Sequence, residues 1–487
     1  MEDAEYVPGP ARRDLVSGPI NSTLLAFALP TLGSSVLQSL NGSINAIWVG
    51  RFLGEDALAA TSNGNIVMFM LMAFVFGFGM AATILIGQAF GRRDIDGARR
   101  VLGTAIGAFI PVAIMVAAVG WLAAPDILAL LATPAEVLSL ALDYMRVVFL
   151  AMPAALMMTM LMMALRGSGD SMTPFWFMGL SVLLSAGLNP VFILGLGPAP
   201  ALGIAGSALA TAVASYVSLA AMIAYIYRRD LPLRLRGPEL AYLRPAMALL
   251  RIMFVKGLPM GLQMIVISSS ALAMLGLVNR EGVQTVAAYG VAQQLWTYVQ
   301  MPAMALSAAV SAMVAQNIGA GDWQRVGRIT RSGVIFNLLL TGALVLLLTV
   351  ADRPALALFL GSDSAAIPIA QHINRLATWG FVAFGVSMVL FGTVRANGQV
   401  VWPLIIMFFA MYPVRLGFAV GAYDWLGTDA LWLSFPIGMV VTTLLAIVLY
   451  LHGGWRRARM ARPIDEQECI EQAEATREPG GALQPAG

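Results

Sequence analysis

The chain has 487 residues, 59% of them hydrophobic and 11% charged, with 29 basic and 26 acidic side chains and a formal charge of +3. Since a soluble domain carries about 25% charged residues, this composition excludes a soluble protein and describes one that crosses a membrane many times. One cysteine, Cys469, and two histidines, His372 and His452, exclude an intrachain disulfide and leave no donor set for a metal site.

Crossing about 30 Å of hydrocarbon takes about 20 apolar residues as a helix. Stretches of that kind predict twelve spans, near residues 19–46, 57–89, 101–124, 138–164, 171–195, 201–227, 254–279, 283–316, 332–351, 367–394, 400–420 and 429–452. Long runs without strand alternation exclude a β-barrel, so the expected fold class is all-α integral membrane. The first twenty residues hold no short apolar core followed by a small-residue cleavage site, and the first span is read as its own targeting signal.

Residues 1–18 are read as a cytoplasmic N-terminal segment. The first span then carries Ser34, Gln38, Asn41 and Asn45 on one helical face, and its neighbour carries Thr61, Asn65, Met68 and Met72 at the same intervals. A polar stripe in lipid must face protein or water, so these residues are expected to line a cleft, with helix–helix hydrogen bonding as the plainer reading. Pro30 and Pro259 stand early in the first and seventh spans, as hinges or static bends. Five methionines crowd residues 157–163; such flexible side chains suit a broad pocket, although they run round the whole helix and so serve packing as well. The stretch 228–251 (RRDLPLRLRGPELAYLRPAMALLR) holds six arginines and is read as a cytoplasmic linker.

The flanks of that linker match each other. With a shift of 228, Gln88 falls on Gln316, Gly91 on Gly319 and Arg100 on Arg328; with a shift of 229, Pro30 falls on Pro259, Arg166 on Arg395 and Gly169 on Gly398. One half is therefore written twice, giving an N-lobe at 19–227 and a C-lobe at 252–452. Each half has an even number of spans, so the two six-helix bundles are related by a pseudo-two-fold along the membrane normal, with a cleft between them. The repeat mates of the second span's stripe are Tyr289, Gln293, Trp296 and Gln300, which are expected to face the same cleft. The basic residues place 22 on the side of the termini and three, Arg51, Arg280 and Arg353, on the other, which predicts cytoplasmic termini. The charge is thus about topology, and no nucleic-acid partner is expected. Residues 453–487 turn polar and are read as a disordered tail, with WRRARMAR resting on anionic lipid.

Several segments carry a likeness, in chain order GQAFGRRDIDGARR, RGSGDSMTP, LNPVFILG, GIAGSALAT, KGLPMGLQ, VAAYGVAQQ and AQNIGAGDWQRVGR, the first and last being paired loops of the two halves. Together they resemble the MATE family of multidrug and toxic compound extrusion transporters, bacterial branch, over about residues 20 to 450. The resemblance implies a twelve-helix antiporter exporting cationic or amphipathic small molecules in exchange for H+ or Na+, not an enzyme, without a cofactor, in the cell inner membrane and as a monomer. It also implies an N-lobe ion site at Asn45, Ser185, Asn189 and Thr211. Here the chain departs from the family, because Asn45 and Asn189 replace would-be carboxylates, while Ile267 and Phe384 occupy the places of second-half acids.

That loss matters because an amide cannot titrate, whereas a desolvated carboxylate is the usual intramembrane proton carrier. Among the acids only Asp143 is predicted inside a span; its repeat mate is His372, and Arg146 and Arg375 follow three residues on. Asp143, with His372, is a proton-carrier candidate, against an interfacial ion pair between Asp143 and Arg146. Arg415 in the eleventh span is costly enough to meet an anionic group or a lipid head group, or to snorkel. A lipid-linked-sugar flippase of the same superfamily and a non-transporting membrane receptor stay open as alternatives. An intramembrane enzyme does not, since no HExxH, no GxSxG with a membrane histidine and no intramembrane aspartate pair is present.

Overall fold

The computed structural model describes residues 14–130, 133, 135–195, 200–361 and 364–460, leaving out the side chains of 55, 56, 58–60, 62–67, 69, 70, 135 and 136. The helices are α1 Ile20–Gly91, α2 Ile95–Leu130, α3 Ala135–Gly167, α4 Met172–Leu194, α5 Gly203–Arg228, α6 Met247–Val278, α7 Val283–Gly319 and α8 Trp323–Val350. The rest are α9 Asp352–Leu360, α10 Ala366–Ala377, α11 Gly380–Ala396, α12 Val401–Phe409, α13 Gly417–Gly421, α14 Tyr423–Leu426 and α15 Asp429–His452, with a π-helical turn, Ala410–Leu416, between α12 and α13. Among the described residues there is no strand, eleven helices are long and apolar enough to cross a membrane, and the bent pair α10–α11, 46° apart, makes a twelfth.

The first two expected spans follow one another within α1 and are separated by a kink at Gly54, inside the loop expected between residues 46 and 57. Its φ of 85° and ψ of −174° are not helical, and the stretches long and apolar enough to cross a membrane are Ile20–Gly54 and Leu71–Gly91. Only glycine takes that backbone conformation without steric cost. Pro30 and Pro259 are both absorbed inside continuous helices. The expected linker is shorter, because α6 starts at Met247: Ala248, Ile252 and Met253 are buried while Arg251 stays exposed at the edge of that buried stripe. What is left of it docks on α2, through the Arg99–Glu239 ion pair at 2.5 Å and the Tyr242 hydroxyl donating to Asp96 at 2.8 Å. Part of the expected disordered tail is also packed. Trp455 and Met460 are buried, and Asn397 Nδ2 donates to the Trp455 carbonyl at 2.8 Å. Residues 461–487, Cys469 among them, lie outside the described residues.

Apolar packing divides the molecule along its length. One buried cluster draws on both lobes and contains Phe78, Ile84, Phe90, Met160, Met260, Met313 and Val314. Two others are confined to single lobes: Val49, Leu128, Tyr144 and Ile204 in the N-lobe, and Tyr289, Trp296, Phe381, Trp432 and Phe435 in the C-lobe. The lobes therefore share a core at the end that holds the termini and have separate cores at the other.

Candidate ion and substrate site

In the N-lobe, α1, α3, α4 and α5 pack on one another and bring polar groups inside. Asn45 Oδ1 on α1 accepts the Ser207 hydroxyl of α5, and Asn45 shares a further hydrogen bond with Tyr144 of α3. Thr211 donates to the Ser207 carbonyl one turn back at 3.3 Å. On α4, Asn189 Nδ2 donates to the Ser185 carbonyl at 2.8 Å. That bond orients the amide, so Oδ1 is left without a donor. Ser185 Oγ also has no partner, and both side chains are fully buried. Asn41 Oδ1 is likewise unpartnered among protein atoms. Buried polar atoms are normally satisfied, so this lobe holds spare acceptor oxygens. No hydrogen bond joins the α4 pair to Asn45 among the described residues.

The C-lobe has the opposite character. Arg415, on the π-helical turn, is buried with its guanidinium carbon 3.7 Å from the Phe435 ring centroid, and neither Nε nor one of its terminal nitrogens has a partner. Gly438 on α15 gives it room, since a Cβ there would sit 3.2 Å from Arg415 Cβ. Tyr289 stacks on Trp432, ring centroids 5.8 Å apart, with its hydroxyl unpartnered. Trp296 Nε1 donates to Asn374 Oδ1 at 3.1 Å and to Thr378 Oγ1 at 3.0 Å, leaving Asn374 Nδ2 free. These groups are spare donors around an aromatic wall.

The residues expected to line one open cleft are thus divided. Gln38 and Gln293 are exposed, Gln300 is half-buried and bonded to the Trp296 carbonyl at 3.2 Å, and Ser34 is buried and bonded to the Pro30 carbonyl at 2.9 Å. Met68 packs on the N-lobe core, and Asn65 lies outside the described side chains. Tyr289 and Trp296 are buried within the C-lobe, because their rings are large enough to form its core. Arg415 is held inside the lobe under α15, so it does not snorkel to a lipid head group. Asp143 is exposed and forms no ion pair with Arg146, whose guanidinium lies 4.9 Å from the Trp121 ring centroid instead. His372 is exposed and meets Asp429 of α15 at 2.7 Å rather than Asp143.

Closure of the end that holds the termini is two-fold related. Gln88 Nε2 donates across the lobes to the Ala396 carbonyl at 2.7 Å, and its repeat mate Gln316 donates to the Gly167 carbonyl at 3.0 Å. A Cβ at Gly91 would lie 1.9 Å from the Gln316 carbonyl oxygen, and one at Gly319 would lie 2.1 Å from that of Gln88. The sequence marked these residues as repeat mates in turn-forming loops but did not show that they meet across the lobes. Ser207, inside the segment GIAGSALAT, carried no sequence signal that it meets Asn45. Asn374 and Thr378, polar and four apart on one face of an apolar segment, were the available signal for the C-lobe pocket.

The duplicated architecture agrees with the comparisons. The MatE family profile matches twice, at residues 30–191 and 259–420, once in each lobe. A probable multidrug resistance protein of Bacillus subtilis, YoeA, is 35% identical over 440 residues, covering 90% of this chain and 95% of that protein. A second, YpnP, is 27% identical over 448 residues, covering 92% and 98%. Among solved structures, an outward-facing multidrug resistance MATE family transporter superposes with a TM-score of 0.82 at 21% identity, over 91% of this chain and 97% of that one. Two lobes with one repeat in each, and a relative of that identity over nearly the full length, place the chain in the MATE family of multidrug transporters.

Proposed function

We propose that the chain exports small amphipathic molecules by rocking its two lobes, in exchange for Na+ bound in the N-lobe. The observation that carries the choice of ion is the pair of buried acceptor oxygens on α4, Asn189 Oδ1 and Ser185 Oγ, which no donor satisfies. A hard monovalent cation takes oxygen ligands, and burial raises their worth. Asn45 and Thr211 stand on the adjoining helices α1 and α5 and complete the set proposed for the ion. Protons have no enclosed carrier of this kind among the described residues: Asp143 and His372 stand on the outer surface of their helices, and His372 is engaged by Asp429. The substrate site lies between the lobes and reaches the aromatic pocket around Arg415, where a flat ring system finds Phe435, Trp296 and Tyr289. The termini lie in the cytoplasm of a cell inner membrane, as the arginine bias requires, and the protein acts as a monomer.

The test is dye export from proteoliposomes under separately imposed gradients. A cationic dye such as ethidium is expected to move on a Na+ gradient at fixed pH, and Asn189→Ala is expected to abolish that dependence. Export driven by a pH gradient alone, unchanged in Asn189→Ala and lost in Asp143→Asn, would move the coupling to Asp143. No export under either gradient would remove the transport reading.

A further inference from the structure

A cavity of about 460 Å³ opens on the surface at the end that holds the termini, where the start of α1 faces the start of α8. Its walls include Ile20, Asn21, Arg325, Arg328, Arg331 and Ile335. The three arginines stand at intervals of three on α8 and share one face. Their placement runs against the helix macrodipole, which disfavours cations in the first turns. Asp322 caps α8 by accepting the Arg325 N–H at 2.8 Å, and among the described residues no carboxylate lines the cavity. Arg325 is nine-tenths buried; it donates to the carbonyls of Ser17 and Gly18 at 2.9 Å each, and its Nε has no partner. Arg328 and Arg331 are exposed and form no ion pair among the described residues.

The other half of the molecule supplies a built-in comparison. Arg100, the repeat mate of Arg328, is paired with Asp96 one turn back at 3.0 Å. At the mate of Asp96 the C-lobe has Gln324, so the duplicated helix start keeps its arginine and lacks its carboxylate. Opposite the arginines, Pro19 provides no side-chain cap, and the first N–H groups of α1 have no intrahelical acceptor. Donors converge from two helices, and Ile20 and Ile335 add an apolar border.

We propose that this cavity binds a phosphate-bearing anion, supplied in the membrane by the head group of an anionic phospholipid. Phosphate is matched by guanidinium forks and by helix N-terminal N–H groups, and the isoleucines suit the first carbons of an acyl chain. Since α1 belongs to one lobe and α8 to the other, the bound head group bridges them and holds this end closed.

The purified full chain, in detergent with phosphatidylglycerol or phosphatidylcholine, is examined by native mass spectrometry for retained lipid. Phosphatidylglycerol is expected to be retained over phosphatidylcholine. Arg328→Gln/Arg331→Gln is expected to lower that retention by about tenfold or more, each arginine near a surface contributing about a factor of five. Gln324→Asp, which restores the N-lobe pairing without removing an arginine, is expected to lower it by about fivefold. A parallel arm with inorganic phosphate separates the sources: displacement of retained phosphatidylglycerol by inorganic phosphate supports a shared phosphate site. Binding of phosphate without selective lipid retention would overturn the lipid source. Equal phosphatidylglycerol retention by the parent and both variants, with folding confirmed by an unchanged melting temperature, would overturn the site.

Discussion

Replacing Gly91 by alanine puts a methyl group into the seam between the lobes. The new Cβ lies 1.9 Å from the Gln316 carbonyl oxygen and 3.0 Å from the Ala320 nitrogen, both backbone atoms that cannot swing aside. Reaching even 3.0 Å from that oxygen requires α1 and α7 to part by about 1.1 Å. Overpacking of this kind costs about 1–3 kcal/mol. The cost falls only on states in which the lobes touch at this end, so the equilibrium is expected to move toward the opposite state by about 5- to 150-fold. The assay is a spin-label distance between Arg92→Cys in one lobe and Gln324→Cys in the other, after Cys469→Ser. A longer distance is expected to gain population in Gly91→Ala, and more so with Gly319→Ala. A distance distribution identical to that of the parent would refute the reasoning, because it would mean that the seam absorbs the methyl without opening.

Gln88→Ala and Gln316→Ala each leave a carbonyl of the opposite lobe without its donor, and each is expected to destabilise the closed end by about 1 kcal/mol; the same pair of labels reads it, and equal effects are expected because the two bonds are repeat mates. Arg415→Met removes a buried charge that has no counter-ion among the described residues, so the melting temperature is expected to hold or rise, while export of dyes that depend on the C-lobe pocket falls by about tenfold or more. Full activity in Arg415→Met would confine Arg415 to packing. Asp143→Asn is expected to leave the pH dependence of export unchanged, since the group is exposed and unpaired with Arg146; loss of that dependence would make Asp143 the proton carrier after all.

Length of apolar run, absence of alternation and the shifts of 228 and 229 were enough to give helices, their number and the two-fold plan, because each is a local or periodic property of the chain. The same is true of the chemistry missing from the ion site, since Asn45 and Asn189 are amides whatever surrounds them. What Asn189 does with its amide was not legible: the bond to the Ser185 carbonyl, and the oxygen it leaves spare, exist only because α4 is buried against α1 and α5. Nor was the fate of Arg415, which composition alone allowed to reach lipid and which packing of α15 over a π-helical turn holds inside. Gln88 and Gln316 were visible as a pair 228 apart, yet that spacing says nothing of contact; the tertiary structure decided that each reaches a carbonyl of the other lobe. Sequence determines what each segment is able to bury, and only the assembled lobes determine which polar atoms are left facing one another once water has gone.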